Sequence, residues 1–288
     1  MTVSPELTPA MRQYMQLKNT LPENTILFFR MGDFYELFFE DARIAAPYMD
    51  IVLTSRSGIP MCGVPHHSVR TYIARVLAAD FKVAIAEQME DPKTARGLVE
   101  RDIVRIITPG TVLDDDELLA AAKSNFLLSL YPAKEAYGLA LLDLSTGDFR
   151  LTEIDGTEKA LETELNRLQP SEIIAPASWL ENNETEELLS SLNRKITWTG
   201  LDDWLFDSIL CAEDLQRHFS VASLDGFGCR SMNLGISAAG AILNYVKTNL
   251  RQDASHITSL QTYRCDDCLI LDRISQRNLE LVEPIFAD

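Results

Sequence analysis

Positive charge is what this 288-residue chain has least of: 26 Lys and Arg stand against 43 Asp and Glu, a net charge of −17. A balance of that kind repels a polyanion unless the basic residues gather in one place. Long apolar runs are also missing. None approaches the roughly 18 residues that suggest a membrane span, and Met1 to Pro9 carries neither a basic leader nor an apolar stretch of the export type. A cytoplasmic chain is the expectation. Cysteine numbers only five, an odd count that argues against a disulfide framework. No Gly is followed by Lys anywhere, so the phosphate loop of P-loop nucleotide hydrolases is absent from this sequence. What remains is an ordinary globular composition, 46% hydrophobic and 24% charged, with length for about two domains.

The acid is unevenly spread. Residues 1–113 hold 12 basic and 13 acidic residues, and residues 114–288 hold 14 basic and 30 acidic. The first part is therefore close to neutral and free to present a local basic face. Asp114-Asp115-Asp116-Glu117 reads as an interdomain linker that caps a short helix, or more simply as a solvated loop. Cys265 and Cys268 have the CxxC spacing, but a zinc site needs a second pair of ligands, and only His256 is close in sequence.

Periodicity supplies the elements. Thr8-Pro9 is an N-cap followed by Pro at the first helical position, opening a helix to about Lys18. Thr25 to Met31 reads as a buried strand turned by Gly32-Asp33. Phe34, Leu37 and Phe38 then recur at helical spacing, which predicts a helix over about Phe34 to Ala46. Asp50 to Thr54 is expected as a short strand, Ser68 to Ala79 as a helix, and Lys82 to Gln88 and Asp102 to Thr108 as strands. In the second part, strands are expected at Asn125 to Leu130, Tyr137 to Leu144 and Asp148 to Ile154, the last two joined by Ser145-Thr146-Gly147. A helix over Thr157 to Leu168 and a strand over Glu172 to Ala175 follow, with later helices at Ala212 to Phe219 and Ala238 to Leu250. Helix and strand alternate, so both parts are α/β.

The most specific stretch is Leu27-Phe28-Phe29-Arg30-Met31-Gly32-Asp33-Phe34-Tyr35-Glu36-Leu37-Phe38, followed by Met61-Cys62-Gly63-Val64-Pro65-His66-His67. With Val83 to Pro92 and Ile107-Thr108-Pro109-Gly110-Thr111, it closely resembles the amino-terminal region of the bacterial MutS family. The likeness runs over essentially the whole chain. It implies a mixed-sheet mismatch-recognition domain over residues 1–113, a linker over 114–123, and an RNase H-like connector over 124–262. The short tail 263–288 would be the start of a helical core domain. The family is a DNA-dependent ATPase, so the missing phosphate loop implies an amino-terminal piece that needs no cofactor, with ATP and Mg²⁺ held by the rest of a longer, homodimeric protein.

The resemblance also implies roles for residues. Phe34 would wedge into duplex DNA at a mispair, and Glu36 would hydrogen-bond a mispaired base. Arg56 and Arg105 would touch the DNA backbone, with Arg75, Lys93 and Arg96 as weaker candidates. The connector would dock the partner protein MutL, and the location would be cytoplasmic and nucleoid-associated. Periodicity taken alone points elsewhere, placing Phe34 in the core beside Leu37 and Phe38. His66 and His67 read as turn and capping residues. Two rival functions stand beside this one. One is a nuclease using Asp143, Glu172 and Asp225 around metal ions. The other is a protein-interaction module with little DNA affinity of its own.

Overall fold

The structure is a computed structural model that describes residues 7–90, 97–112, 125–182, 185, 189, 196–251 and 254–265. The chain divides into two compact units. The first runs as far as Leu127 and takes in 143–146 and 244–256; the second takes in Leu128–Leu142, Gly147–Leu243 and the chain from Ile257 on. Each is described by itself.

The first unit is built on a six-stranded mixed sheet. Its strands are β1 (Thr25–Met31), β2 (Phe34–Phe38), β3 (Thr54–Arg56), β4 (Ile59–Pro65), β5 (Lys82–Gln88) and β6 (Arg101–Ile107), in the order β3-β4-β2-β1-β5-β6. β1 lies parallel to β5 and antiparallel to β2, and every other pairing is antiparallel. Helix α1 (Pro9–Lys18) begins as its sequence dictates: the Thr8 hydroxyl accepts from the Met11 N–H at 3.3 Å, and Pro9 follows the cap. Met11 and Tyr14 of α1 cover one face of the sheet, over Leu27, Phe29, Phe38, Ala84 and Ile103. Helices α2 (Phe39–Met49) and α3 (Val69–Ala78) cover the other, over Ile26, Phe28, Leu37, Val64 and Val83.

One expectation is corrected here. Phe34 does not open a helix. Residues 34–38 form a strand whose Tyr35, Leu37 and Phe38 are buried while Phe34 stands in solvent, and the helix starts only at Phe39. The change of direction takes no loop: Phe39 itself adopts φ 56°, a conformation that a bulky residue rarely takes. The strand expected over Asp50 to Thr54 is also displaced. Asp50 is the left-handed cap that ends α2, and β3 begins at Thr54.

The second unit carries another six-stranded mixed sheet. Its strands are β7 (Phe126–Pro132), β8 (Ala136–Asp143), β9 (Asp148–Asp155), β10 (Glu172–Pro176), β11 (Thr197–Leu201) and β12 (Gln261–Thr262), ordered β11-β10-β7-β8-β9-β12. β10 and β11 are parallel, as are β9 and β12. Helix α4 (Glu158–Leu168) is capped by the Thr157 hydroxyl, and an 18-residue helix over Asn233–Leu250 lies later in the chain. That helix begins on Glu153, whose Oε1 accepts from the N–H groups of Leu234 at 2.8 Å and Gly235 at 3.2 Å. A carboxylate there satisfies orphan donors and opposes the helix dipole. The linker expected at 114–123 and most of the tail expected at 263–288 lie outside the described residues.

Asp41, in the first turn of α2 and 4% exposed, ties the first unit together. Its Oδ2 accepts from the Tyr14 hydroxyl at 2.6 Å and the Leu27 N–H at 3.0 Å, and its Oδ1 lies 2.7 Å from Lys18 Nζ. One carboxylate thus joins α1, β1 and α2. Burial, followed by the charge of Asp41, holds the Tyr14 hydroxyl well above its ordinary value. Removing one partner of a buried ionic pair leaves the others without compensation. Asp41→Ala is therefore expected to destabilise the first unit by about 3 kcal/mol, and Tyr14→Phe by about 1 kcal/mol. Urea denaturation followed by far-ultraviolet circular dichroism checks the ranking.

Candidate nucleic-acid interface

The candidate site grows from the β1–β2 hairpin. The two strands pair up to Met31 opposite Phe34, leaving Gly32-Asp33 as a two-residue turn. Gly32 has φ 61° while Asp33 is not left-handed, the pattern of a type II′ turn, which wants Gly first. From that turn β2 runs inward, and its side chains alternate. Phe34, Glu36 and Phe38 share the face covered by α1; Tyr35 and Leu37 face α2 and α3. Along the first set burial deepens with distance from the turn. Phe34 is 48% exposed, the Glu36 side chain 17%, and Phe38 1%. A single exposed aromatic is commonplace. An exposed aromatic next along the same strand face to a half-buried carboxylate, at the tip of a braced hairpin, is not.

Glu36 lies between Phe29 of β1 and Gly63 of β4. A Cβ at position 63 would stand 3.3 Å from the Tyr35 carbonyl oxygen, a tight approach, and 3.6 Å from Glu36 Cγ, an ordinary contact. Arg56, on edge strand β3 and opposite Ile59, belongs to the same face. Its Nη1 donates to Glu36 Oε2 at 2.9 Å. Burial pushes the Glu36 carboxyl above the usual carboxylate range, against the opposing pull of Arg56 and then Arg101.

Four residues to which the sequence assigned no role, Arg101, Arg30, Tyr35 and Glu87, hold the hairpin. Arg101 is 7% exposed; it donates from Nε to the Arg30 carbonyl at 2.6 Å and from Nη1 to the Val99 carbonyl at 2.7 Å, with its guanidinium 4.9 Å from the Phe29 ring centroid. Arg30 donates from Nε to the Gly32 carbonyl at 2.5 Å, which braces the turn. Its guanidinium lies 5.4 Å from the centroid of the Tyr35 ring, and the Tyr35 hydroxyl donates to Glu87. Burial and then Glu87 push that hydroxyl up to about 12. The only sequence signal for the brace is Arg30 and Tyr35 on either side of Gly-Asp, since the partner Glu87 lies 52 residues on from Tyr35.

The structure brings Arg56, Glu36 and Phe34 onto one face but leaves Arg105 off it. A bulge in the β5–β6 ladder sets Arg105 opposite Ile85, whereas Ile103 stands opposite Ala86. Ile85 faces α2 and α3, so Arg105 is on the other side of the sheet from Phe34 and Glu36, and its Nη2 donates to the Thr111 carbonyl at 3.4 Å. Arg75 donates to the Met49 carbonyl at 2.6 Å. Lys93 and Arg96 lie outside the described residues. His66 and His67 form an exposed 3-10 turn ahead of α3, without a side-chain cap, and the His66 N–H donates to the Asp33 carbonyl at 2.9 Å.

The carboxylates named for a nuclease have other engagements. Asp143 Oδ1 accepts from the Ser145 N–H at 3.0 Å and hydroxyl at 2.7 Å, tying the turn after β8. Glu172 is fully buried and accepts from the Thr199 hydroxyl at 2.8 Å. Asp225 is exposed, 3.7 Å from Arg230. Among the described residues no three His, Cys, Asp or Glu side chains are grouped to hold a metal ion. Of the CxxC pair, Cys268 lies outside the described residues, and the His256 ring bonds the Leu144 carbonyl at 3.0 Å.

Comparison with known proteins finds matches for both parts of the chain. Residues 8–116 match the family model described as MutS domain I, and residues 125–258 that described as MutS domain II. The DNA mismatch repair protein MutS of Desulfatibacillum aliphaticivorans is 42% identical over 287 residues, 98% of this chain and 32% of that protein. The protein of the same name from Syntrophomonas wolfei is 44% identical over 284 residues, 96% of this chain and 33% of that protein. That of Alkaliphilus metalliredigens is 40% identical over 289 residues, 97% and 32% respectively. The chain spans about a third of the length of the curated relatives it matches.

A raised carboxyl value has a consequence for stability. Glu36 is neutral in both folded and unfolded chains at low pH; as pH rises, ionisation is less favourable in the folded chain, so charged Glu36 works against folding. Glu36→Gln is expected to raise the melting temperature at pH 7 by up to about 2–4 °C. The advantage should vanish below the pH at which a free glutamate titrates, as read by thermal scans across pH 3–8.

Proposed function

The chain belongs to the MutS family, and on that premise we propose that it serves DNA mismatch repair, its first unit recognising mispaired duplex DNA through Phe34 and Glu36. The observation that carries this reading is their placement: an exposed aromatic and a half-buried carboxylate on one strand face, at the tip of a hairpin braced from both sides.

The chemistry follows from that arrangement. An apolar side chain pushed between base steps from the minor groove unstacks them and kinks the duplex, at a cost of about a few kcal/mol per step that falls where pairing is already defective. That difference is the signal. Phe34 suits the task because its ring is rigid, stacks on any base and makes no hydrogen-bond demand, stacking being worth about 1–3 kcal/mol. Glu36, one same-face position further in, meets the edge of the displaced base. Ionised, it accepts from an exposed imino or amino group; protonated, it donates to a ring nitrogen, and its burial already favours the protonated form. Against well-paired DNA its charge repels phosphate, which disfavours the wrong target. Arg56 lies on the face where it can meet the adjacent backbone, and a phosphate contact there positions the wedge without reading sequence. The same role for Arg105 is carried by the resemblance alone.

The ATP and Mg²⁺ chemistry of the family has no place in these residues, because no Gly is followed by Lys and no phosphate loop can form. It is assigned to the part of the relatives that this chain does not span. The second unit is assigned to docking MutL. Its Trp204, Ile209 and Leu210 are exposed beside Asp202, Asp203 and Asp207, a patch of the kind used for protein contacts.

The test is binding of the chain to a G·T-mismatched and a matched duplex in about 50 mM salt, where phosphate contacts are strongest. Phe34→Ala should abolish the preference for the mismatch and leave weak non-specific binding in place. An unchanged preference in folded Phe34→Ala would return Phe34 to a structural role. No binding to either duplex by the wild-type chain would favour the second unit's protein docking as its main activity.

A further inference from the structure

Arg56 was expected to meet DNA phosphate, yet in the free chain it meets Glu36. The ion pair is direct, 2.9 Å from Nη1 to Oε2. Its two members differ in their access to solvent: the Arg56 side chain is 52% exposed and that of Glu36 17%. Arg56 is therefore the member that can leave, while Glu36 must stay on the sheet. We propose that Arg56 is a latch on Glu36: it holds the carboxylate in the free chain and is drawn off by a DNA phosphate, which frees Glu36 to turn to a base edge. The proposal rests on the reading of Glu36 as the base-contacting residue.

The exchange has a physical direction. A guanidinium forms charge-assisted bonds to phosphate and carboxylate alike, so it can pass from one to the other without being left unpaired. The carboxylate it leaves is half-buried, and among the described residues the charged groups that bear on it are Arg56 from β3 and Arg101 from β6. Arg101 keeps its bonds to the Arg30 and Val99 carbonyls and covers Phe29, so it does not follow the exchange. With Arg56 gone, burial prevails at Glu36 and the protonated, donating form gains. The distant phosphate thus acts on the state of the group that reads the base. Arg56 is in this sense a positioning residue for discrimination, acting through Glu36 rather than on the base.

The first measurement needs no mismatch. Carboxyl-labelled glutamate in the 288-residue chain reports the titration of Glu36 by NMR, in wild type, Arg56→Gln and Arg56→Lys. Arg56→Gln should move the midpoint up, and Arg56→Lys, which keeps the charge, should largely restore it. Adding a mixed-sequence duplex at low salt should move the wild-type midpoint up by more than that of Arg56→Gln, because only wild type has a partner to lose. Midpoints that ignore Arg56→Gln, or an equal or absent rise with DNA in both proteins, overturn the latch.

The second measurement is a double-mutant cycle on mismatch preference. Arg56→Gln should reduce the preference by about tenfold when Glu36 is present and leave it unaltered in Glu36→Gln, since the effect runs through the carboxylate. Equal effects in both backgrounds would make Arg56 an ordinary backbone contact and overturn the proposal. Should Glu36→Gln alone keep full preference, the reading of Glu36 itself fails, a different result from failure of the latch.

Discussion

The register of β2 between β1 and β4 is the constraint from which the rest of the site follows. Side chains alternate across a sheet with a period of two, so a slip of one residue would exchange every inward side chain for an outward one. Here the alternation is locked from both neighbours: Leu37 and Phe38 are buried on opposite faces, and a slip would send both into the wrong core. With those two fixed, Phe34 and Glu36 have no choice of face. The Gly32-Asp33 turn then sets how far the strand extends beyond the cover of α1, and so how much of Phe34 meets solvent. The outer end of the hairpin is held by backbone carbonyls, those of Arg30 and Gly32, each gripped by an arginine. The wedge proposed for Phe34 would have to resist the duplex it opens, and a hairpin tip held only by its own ladder would bend first.

The electrostatics of the face oppose its stability. A glutamate on a strand that buries Phe38 and faces Phe29 is held where water is scarce, and the partly exposed Arg56 and then Arg101 compensate it only in part. A surface carboxylate of fixed charge would serve folding better. Groups whose ionisation is strained by burial tend to mark sites where that strain is used. The Tyr35–Glu87 pair behind the sheet shows the contrast, for it braces the hairpin and has no opening toward the face that Phe34 occupies.

Much of this was legible in the sequence, and the failures are instructive. The Thr8-Pro9 cap, the strand Thr25–Met31 and the helix after Ser68 were read with little error because cap chemistry and apolar period agreed. Phe34 was misread because Phe34, Leu37 and Phe38 satisfy the helical spacing by accident, while the strand is only five residues long and passes straight into α2. No Gly or Pro marks that passage; the chain turns at Phe39, where a left-handed phenylalanine gives no advance notice. Strand β4 went unread for the opposite reason, since Pro60, Gly63 and Pro65 look like breakers. The bulge that moves Arg105 to the far face lies in the register between two strands, and no single-sequence pattern records it.

The acidic balance of the chain raises a last physical question, since a protein that reads DNA is expected to carry excess positive charge. Phosphate attraction supplies affinity and is blind to pairing, so a chain rich in it would hold matched and mismatched duplex alike. Residues 1–113 are nearly neutral, and the basic groups around the hairpin are mostly committed within the protein: Arg30 and Arg101 to carbonyls and rings, Arg56 to Glu36. In the proposed function such a face would contribute response to a local defect, through an aromatic that inserts where stacking is weak and a carboxylate that is penalised where pairing is sound. Affinity of the kind that holds a protein to DNA has to come from contacts over a wider surface than one hairpin presents. On the reading proposed above, the near-neutrality of the first part suits discrimination better than grip.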